Sequence, residues 1–184
     1  MDNKVGKLLV SHPNLLAKTP FYKTVVYIFN DGPEGTQGII LNKPTAYKVH
    51  DFMTQQGLAF PLSKERMRFG GPVSTKMLFM LHTEDFESAS SMPAGTGLML
   101  SCDDFMLEKM TVGYQPSLWR MMVGVAAWQP GQLDMELNGQ PPYRPENSWL
   151  TADANETILF EYDGEKQWQK ALELSSQQMI NHFF

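Results

Sequence analysis

Apolar positions in this chain come in short, dense runs broken by Gly, Pro and Asp, not in long amphipathic stripes. The run Thr24-Val-Val-Tyr-Ile-Phe29 is β-branched and aromatic, which predicts a buried strand. Asp31-Gly-Pro-Glu-Gly35 follows as a turn cluster, and residues 37–41 supply the partner strand of a hairpin that Lys43-Pro44 closes. Residues 8–10 form another apolar run, stopped at Pro13. Further strands are predicted over 77–81 and over 119–128, where Val123-Gly-Val-Ala-Ala127 is small or branched and suits close approach of another element. Residues 89–92 and 97–101 predict a second hairpin around Pro93-Ala-Gly95, and residues 148–151 a short strand.

The helical period is rarer. Val49, Phe52 and Met53 share a face over 49–56, with Gly57 as the stop. Ser101, Asp103 and Asp104 offer capping oxygens and acidic charge for a helix whose buried side would be Phe105, Leu107, Met110 and Val112, ending at Gly113. A short helix is predicted over 132–137, with Leu133 and Leu137 one turn apart. The clearest one runs over 165–179, with Trp168, Ala171, Leu172 and Ser175 on one side. Residues 58–68 read as a loop, 70–72 as a turn and 138–147 as an exposed loop. Hairpins outnumber regular strand–helix alternation, so the fold class is α+β with largely antiparallel sheets.

Composition narrows the function classes. A length of 184 residues predicts a single domain with a core large enough to need no staples. The formal charge of -5 works against a phosphate backbone, and Lys64, Arg66 and Arg68 are too small a basic cluster for a DNA-binding arm. One cysteine, Cys102, excludes an intrachain disulfide and a Cys-rich zinc site. The start of the chain lacks a signal-like apolar stretch and no run reaches membrane-spanning length, so the expectation is a soluble, cytoplasmic protein.

The strings that could carry chemistry are few. Gly38-Ile-Ile-Leu-Asn-Lys-Pro44 presents Asn42 and Lys43 at a strand end, where an amide and an ammonium suit a carboxylate or phosphate; the plain alternative is a capped turn and a solvated lysine. Gly70-Gly-Pro-Val73 frees backbone amides near Arg66 and Arg68 and could form an anion nest, although a structural turn is favoured. It has neither the phosphate-loop nor the dinucleotide pattern. His12, His50, His82 and His182 lack metal-ligand spacing, so no metal and no cofactor is expected. His82 ahead of Thr83-Glu-Asp85 is a candidate general base oriented by an acid, against the plainer reading of a histidine hydrogen-bonded at a strand end; Cys102 at a helix start is a candidate thiolate with no base beside it in sequence. No nucleophile elbow occurs. The four tryptophans lie in or beside apolar segments without interleaved basic residues, which favours core positions over a base-stacking platform.

Taken in order, Gly6-Lys-Leu-Leu-Val-Ser-His-Pro13, Phe21-Tyr-Lys-Thr-Val-Val-Tyr-Ile28, Gly38-Ile-Ile-Leu-Asn-Lys-Pro44, Gly70-Gly-Pro-Val73, Leu81-His82, Gly124-Val-Ala-Ala-Trp-Gln-Pro-Gly-Gln-Leu133, Ser148-Trp-Leu150, Leu159-Phe160 and Trp168 resemble the YqgE/AlgH family, also labelled UPF0301. The likeness runs from about residue 6 to about residue 172. It departs from the family's usual strings at Asn30-Asp31-Gly32, at Gly124-Val-Ala-Ala-Trp128 and in an apparent insertion over 139–147. The resemblance implies an α+β domain of several small, mostly antiparallel sheets with sandwich and barrel features, a cytosolic bacterial protein, and the label of transcriptional regulator. It carries over no catalytic residue. The reading is therefore a non-enzymatic regulatory or binding module acting through a small ligand or a protein partner, with candidate ligand-binding residues Asn42, Lys43, Gly70, Gly71 and His82. The rivals are a hydrolytic or redox enzyme using His82 or Cys102, and direct DNA binding, which the acidic charge disfavours.

Overall fold

The dense runs are strands buried on both faces. The computed structural model describes residues 3–14, 19–143 and 149–183. In chain order the strands are β1 (Lys7–Ser11), β2 (Val25–Gly32), β3 (Gly35–Ile40), β4 (Pro44–Lys48), β5 (Arg66–Phe69), β6 (Val73–Thr83), β7 (Met92–Gly95), β8 (Leu98–Ser101), β9 (Trp119–Trp128) and β10 (Trp149–Asp153). The helices are α1 (Val49–Gln55), α2 (Asp104–Thr111), α3 (Gln132–Leu137), α4 (Glu156–Phe160) and α5 (Gly164–Phe183). The strands join in one curled, mostly antiparallel sheet of order β10-β1-β2-β3-β9-β6-β8-β7, with β5 pairing β9 and β4 pairing β5.

Side-chain alternation divides the interior. Leu8, Val10, Val25, Tyr27, Ile39 and Leu41 face one cluster, which Ile158 and Leu159 of α4 and Trp168 and Ala171 of α5 cover. The intervening Leu9, Val26, Ile28 and Ile40 face the opposite way, against Leu133 of α3, Trp128 and Trp149. Farther along that face, Met80 and Met121 meet Val49 and Met53 of α1 and Met106 and Met110 of α2. Strands covered on both sides have no solvent face, so they read as unbroken apolar runs.

β9 is the joint. Met122 and Val123 pair with Arg68 and Phe69 of β5 on one edge and with Phe79 and Leu78 of β6 on the other. β3 takes over the β5 edge farther on, with Gly38 opposite Ala126 and Thr36 opposite Trp128. Between Phe69 and Val73 the chain must therefore cross the face of β9, and it does so through Gly70-Gly71-Pro72 over Gly124. A Cβ on Gly70 would land on the Gly124 carbonyl, one on Gly71 on the Val125 backbone, and one on Gly124, which sits at φ 76°, on the Gly71 carbonyl. Small residues at this crossing are a steric requirement.

Four local expectations change. Residues 66–69 are a strand and not the end of a loop, because Arg68 is buried between carboxylates. Pro93-Ala94-Gly95 lies within β7, and the hairpin turns at Thr96-Gly97. Asp103 caps α2 by accepting from Met106 N (2.9 Å), so its buried side is Met106, Leu107 and Met110. Phe105 is 50% exposed and Val112 82%. β4 and α4 are additional elements. The 138–147 loop is exposed from Asn138 to Pro142 apart from a half-buried Gly139, and residues 144–148 lie outside the described residues. Among the described residues, no helix is long and apolar enough to cross a membrane.

Candidate functional site

The two Gly- and Pro-containing strings do meet. Ile40 N donates to Gly70 O (2.8 Å) and Phe69 N to Lys43 O (2.9 Å). Asn42 is 2% exposed: its Oδ1 accepts from Val25 N (2.8 Å), and its Nδ2 donates to the carbonyls of Lys23 (2.8 Å) and Gly164 (3.0 Å). The Lys43 ammonium donates to Tyr22 O (2.6 Å), and burial lowers its pKa. The Gly70 amide donates to Val123 O (2.7 Å). An anion would have to break the Asn42 and Gly70 bonds, whereas the Lys43 ammonium keeps two further donors. Asn42, Gly70 and Gly71 are parts of a joint between β2, β3, β9 and the start of α5.

His82 lies elsewhere, opposite Trp119 of β9 and Met99 of β8, and is fully buried. One ring nitrogen, Nδ1, is 2.8 Å from Thr83 O, and a carbonyl can only accept, so Nδ1 carries the proton. Nε2 then accepts from Ser101 Oγ (2.8 Å), which in turn accepts from Ser91 Oγ (2.6 Å). Burial lowers the imidazole pKa, keeping it neutral. The ring has the hydroxyl neighbour that nucleophilic catalysis needs, but Ser101 is also fully buried and the proton on Nδ1 goes to a backbone carbonyl. The pair is a closed hydrogen-bond chain with no exposed surface.

Asp103 beside it accepts from Ser88 Oγ (2.6 Å), Ser90 N (2.9 Å) and Ser90 Oγ. Burial alone would raise its pKa, but these donors and the Met106 amide hold the carboxyl at about 2. Cys102 is exposed, and its amide donates to Ser90 Oγ (2.8 Å). Arg68 and Arg120 form a second buried polar centre. Arg120 Nη1 bonds both oxygens of Glu65 (3.0 and 2.9 Å), Arg68 Nη1 reaches Glu65 (3.2 Å), and Arg68 Nη2 reaches Asp163 (2.8 Å). Arg120 Nη2 also donates to Phe160 O, so this cluster anchors α4 to the sheet.

One open concave surface borders β2, the first strand of the molecule's first hairpin. A cleft of about 950 Å³ is bounded by the start of β1, by β2, by the β7–β8 hairpin and by the entry to α4. Tyr27, Phe29, Leu98, Leu159 and Phe160 contribute apolar lining, and Asn30, Asp31, Asp153, Asn155 and Glu156 contribute polar lining. Tyr27 Oη donates to Ala94 O (2.6 Å), and burial pushes this phenol up to about 12. A Cβ on Gly95 would strike that hydroxyl, so Gly95 lets β7 sit against β2. Asp31 accepts from Thr36 Oγ1 (2.6 Å) and Lys4 N (2.9 Å), and Asp153 pairs with Lys7.

None of the five expected residues lines this cleft. One local signal pointed to part of it. Asn155-Glu156 ahead of Thr-Ile-Leu-Phe160 is a helix-start pattern, and Asn155 does cap α4 by accepting from Ile158 N (2.9 Å). The remaining wall comes from strands brought together only by the sheet order.

A family profile described as AlgH-like matches residues 8–180. A UPF0301 protein of Methylococcus capsulatus is 33% identical over 169 residues, which is 91% of this chain and 88% of that protein. One from Shewanella oneidensis is 32% identical over 177 residues, 93% of this chain and 90% of its own. The solution structure of the AlgH protein from Pseudomonas aeruginosa superposes with a TM-score of 0.75 at 26% identity, covering 94% of this chain and 88% of that one. A crystal structure of a Corynebacterium diphtheriae protein superposes with a TM-score of 0.70 at 17% identity, a likeness of fold alone, over 92% of this chain and 86% of the other.

Proposed function

This chain belongs to the AlgH-like family, and from that premise we propose that it is a non-enzymatic regulatory binding protein that holds a small ligand in the β1–β2/β7–β8 cleft. The observation that carries the reading is the cleft itself, whose volume lies within the range of small-molecule sites and whose lining is divided about equally between apolar and polar groups. Its carboxylates and amides reverse the sign of the ligand expected at Asn42 and Lys43. Lys7 and Lys4 offset Asp153 and Asp31, so the excess negative charge is small and centres on Glu156; it favours a donor-rich neutral or cationic molecule with an apolar body over a phosphate. The burial of His82 and Ser101 supports binding over catalysis. The reading places the protein in the cytoplasm, and it takes the regulator label to mean control through a bound ligand or protein. Duplex DNA is the weaker reading, because the two most central arginines are buried in ion pairs and the β4–β5 ribbon exposes only Lys48 and Arg66, with Lys64 beside it.

The test is a nuclear magnetic resonance titration with tyramine as a cationic aromatic probe and mannitol as a neutral one. At least one should shift the amides of Phe29, Leu98 and Phe160, and Thr96→Trp, on the exposed rim, should abolish the shifts while leaving the spectrum folded. Shifts confined to Asn42, Lys43 and Gly70, or unaffected by Thr96→Trp, would refute the cleft.

A further inference from the structure

Away from the cleft, Lys109 of α2 sits among three aromatic rings. Its ammonium lies over Phe105 at 4.9 Å, Tyr114 at 5.3 Å and Phe86 at 5.9 Å from the ring centroids. It also donates to Glu87 O (2.7 Å). Three ring faces and a carbonyl around one ammonium make a cation cage, since each face presents negative π density. Phe86 is the buried back wall, stacked on Tyr114 at 5.2 Å, while Phe105 and Tyr114 are about half exposed.

We propose that this cage is a docking site for a lysine-bearing, basic segment of a partner protein, and that Lys109 is a built-in occupant which the partner's lysine displaces. The exchange replaces one ammonium by another, so the cage interactions nearly cancel between the free and bound states. The net attraction comes from the surroundings. Glu84, Glu87, Asp104 and Glu108 are exposed carboxylates on the two segments that supply Phe86, Phe105 and Lys109. Phe105 and the 82%-exposed Val112 add apolar area that a peptide would cover. An apolar, aromatic surface beside four carboxylates is complementary to a segment that alternates lysine with apolar residues. The site shares no lining residue with the cleft and does not depend on it.

The experiment titrates the full chain, its Lys109→Met variant and its Phe105→Ala variant with a synthetic peptide of alternating Lys and Leu, and with the same peptide acetylated at every lysine. Resonances of Phe86, Phe105 and Tyr114 report the site. The lysine peptide should bind the Lys109→Met protein about tenfold tighter than the natural chain, because the internal competitor is gone. Acetylation should abolish binding, and Phe105→Ala should weaken it about tenfold. Equal affinity for the natural and Lys109→Met proteins would make Lys109 a clasp for α2 and overturn the proposal. So would binding of the acetylated peptide, or an absence of shifts at these rings. Phe105 is half exposed, so its alanine variant keeps the test valid if Lys109→Met fails to fold.

Discussion

Replacing Ser101 by alanine removes the one donor to Nε2 of the fully buried His82 among the described residues. A stranded polar atom of this kind costs about 1–3 kcal/mol, which urea unfolding would measure against the natural chain. The same imidazole sets a pH dependence. Its folded-state pKa lies below the ordinary 6.5, so the unfolded chain binds the proton more readily, and stability falls as pH drops through and below 6.5. Ser101→Ala should alter that slope between pH 7 and 5. Asp103 works in a lower window: its pKa is about 2, so its contribution is present above pH 4 and disappears between about pH 4 and pH 2. Partial exposure limits that contribution to about 1 kcal/mol, and Asp103→Asn should flatten the acid limb of the unfolding curve by that amount. The sequence exposed His82 and Asp103 as candidates but not their partners. Ser101 is 19 residues from His82, and only the β6–β8 register, Leu81 opposite Leu100, brings the hydroxyl to the ring.

Among elements, the glycine crossing offers the sharpest contrast. Gly124→Ala puts a methyl into the Gly71 carbonyl at a left-handed backbone angle, and should cost about 3 kcal/mol or more. Gly131→Ala has the same φ of 76° but nothing within 4 Å of the new methyl, so it should cost only about 1–2 kcal/mol. Thermal melts of the pair separate steric collision from backbone strain. Arg120→Ala should cost about 3 kcal/mol by uncoupling Glu65 and the α4 carbonyls, with faster hydrogen exchange at Leu159 and Glu161 as the local readout. The elements legible in advance were those with apolar runs or a helical face: β1, β2, β3, the end of β6, β8, β9, β10, α1, α2, α3 and α5. β4 escaped because it is an edge ribbon, solvent-facing along most of its length, with no alternation to read. β5 escaped because it is four residues long and one of its two buried residues is an arginine. α4, at five residues, is too short to display a period.

For the molecule as a whole, charge and topology decide what it meets. With a net charge of -5 and its two central arginines internally paired, it should bind duplex DNA no tighter than about 0.1 mM near physiological salt, as gel mobility would show. Tight, salt-dependent binding that Lys48→Glu and Arg66→Glu abolish would instead support the ribbon as a nucleic-acid surface. The cleft was the least legible feature, because its walls come from both ends and the middle of the chain. The central position of β9 has one more consequence, in time. A ribosome releases β3, β5 and β6 before β9, and β5 precedes it by about 50 residues, or roughly 3–10 s of synthesis. During that interval three strands each lack the neighbour on their β9 side, and β1 still lacks β10. A nascent chain stopped at Ser117 should therefore aggregate, whereas one released through Phe183 should fold. The period of greatest exposure is thus during translation, and a holdase chaperone acting on the emerging chain should raise the yield of folded protein.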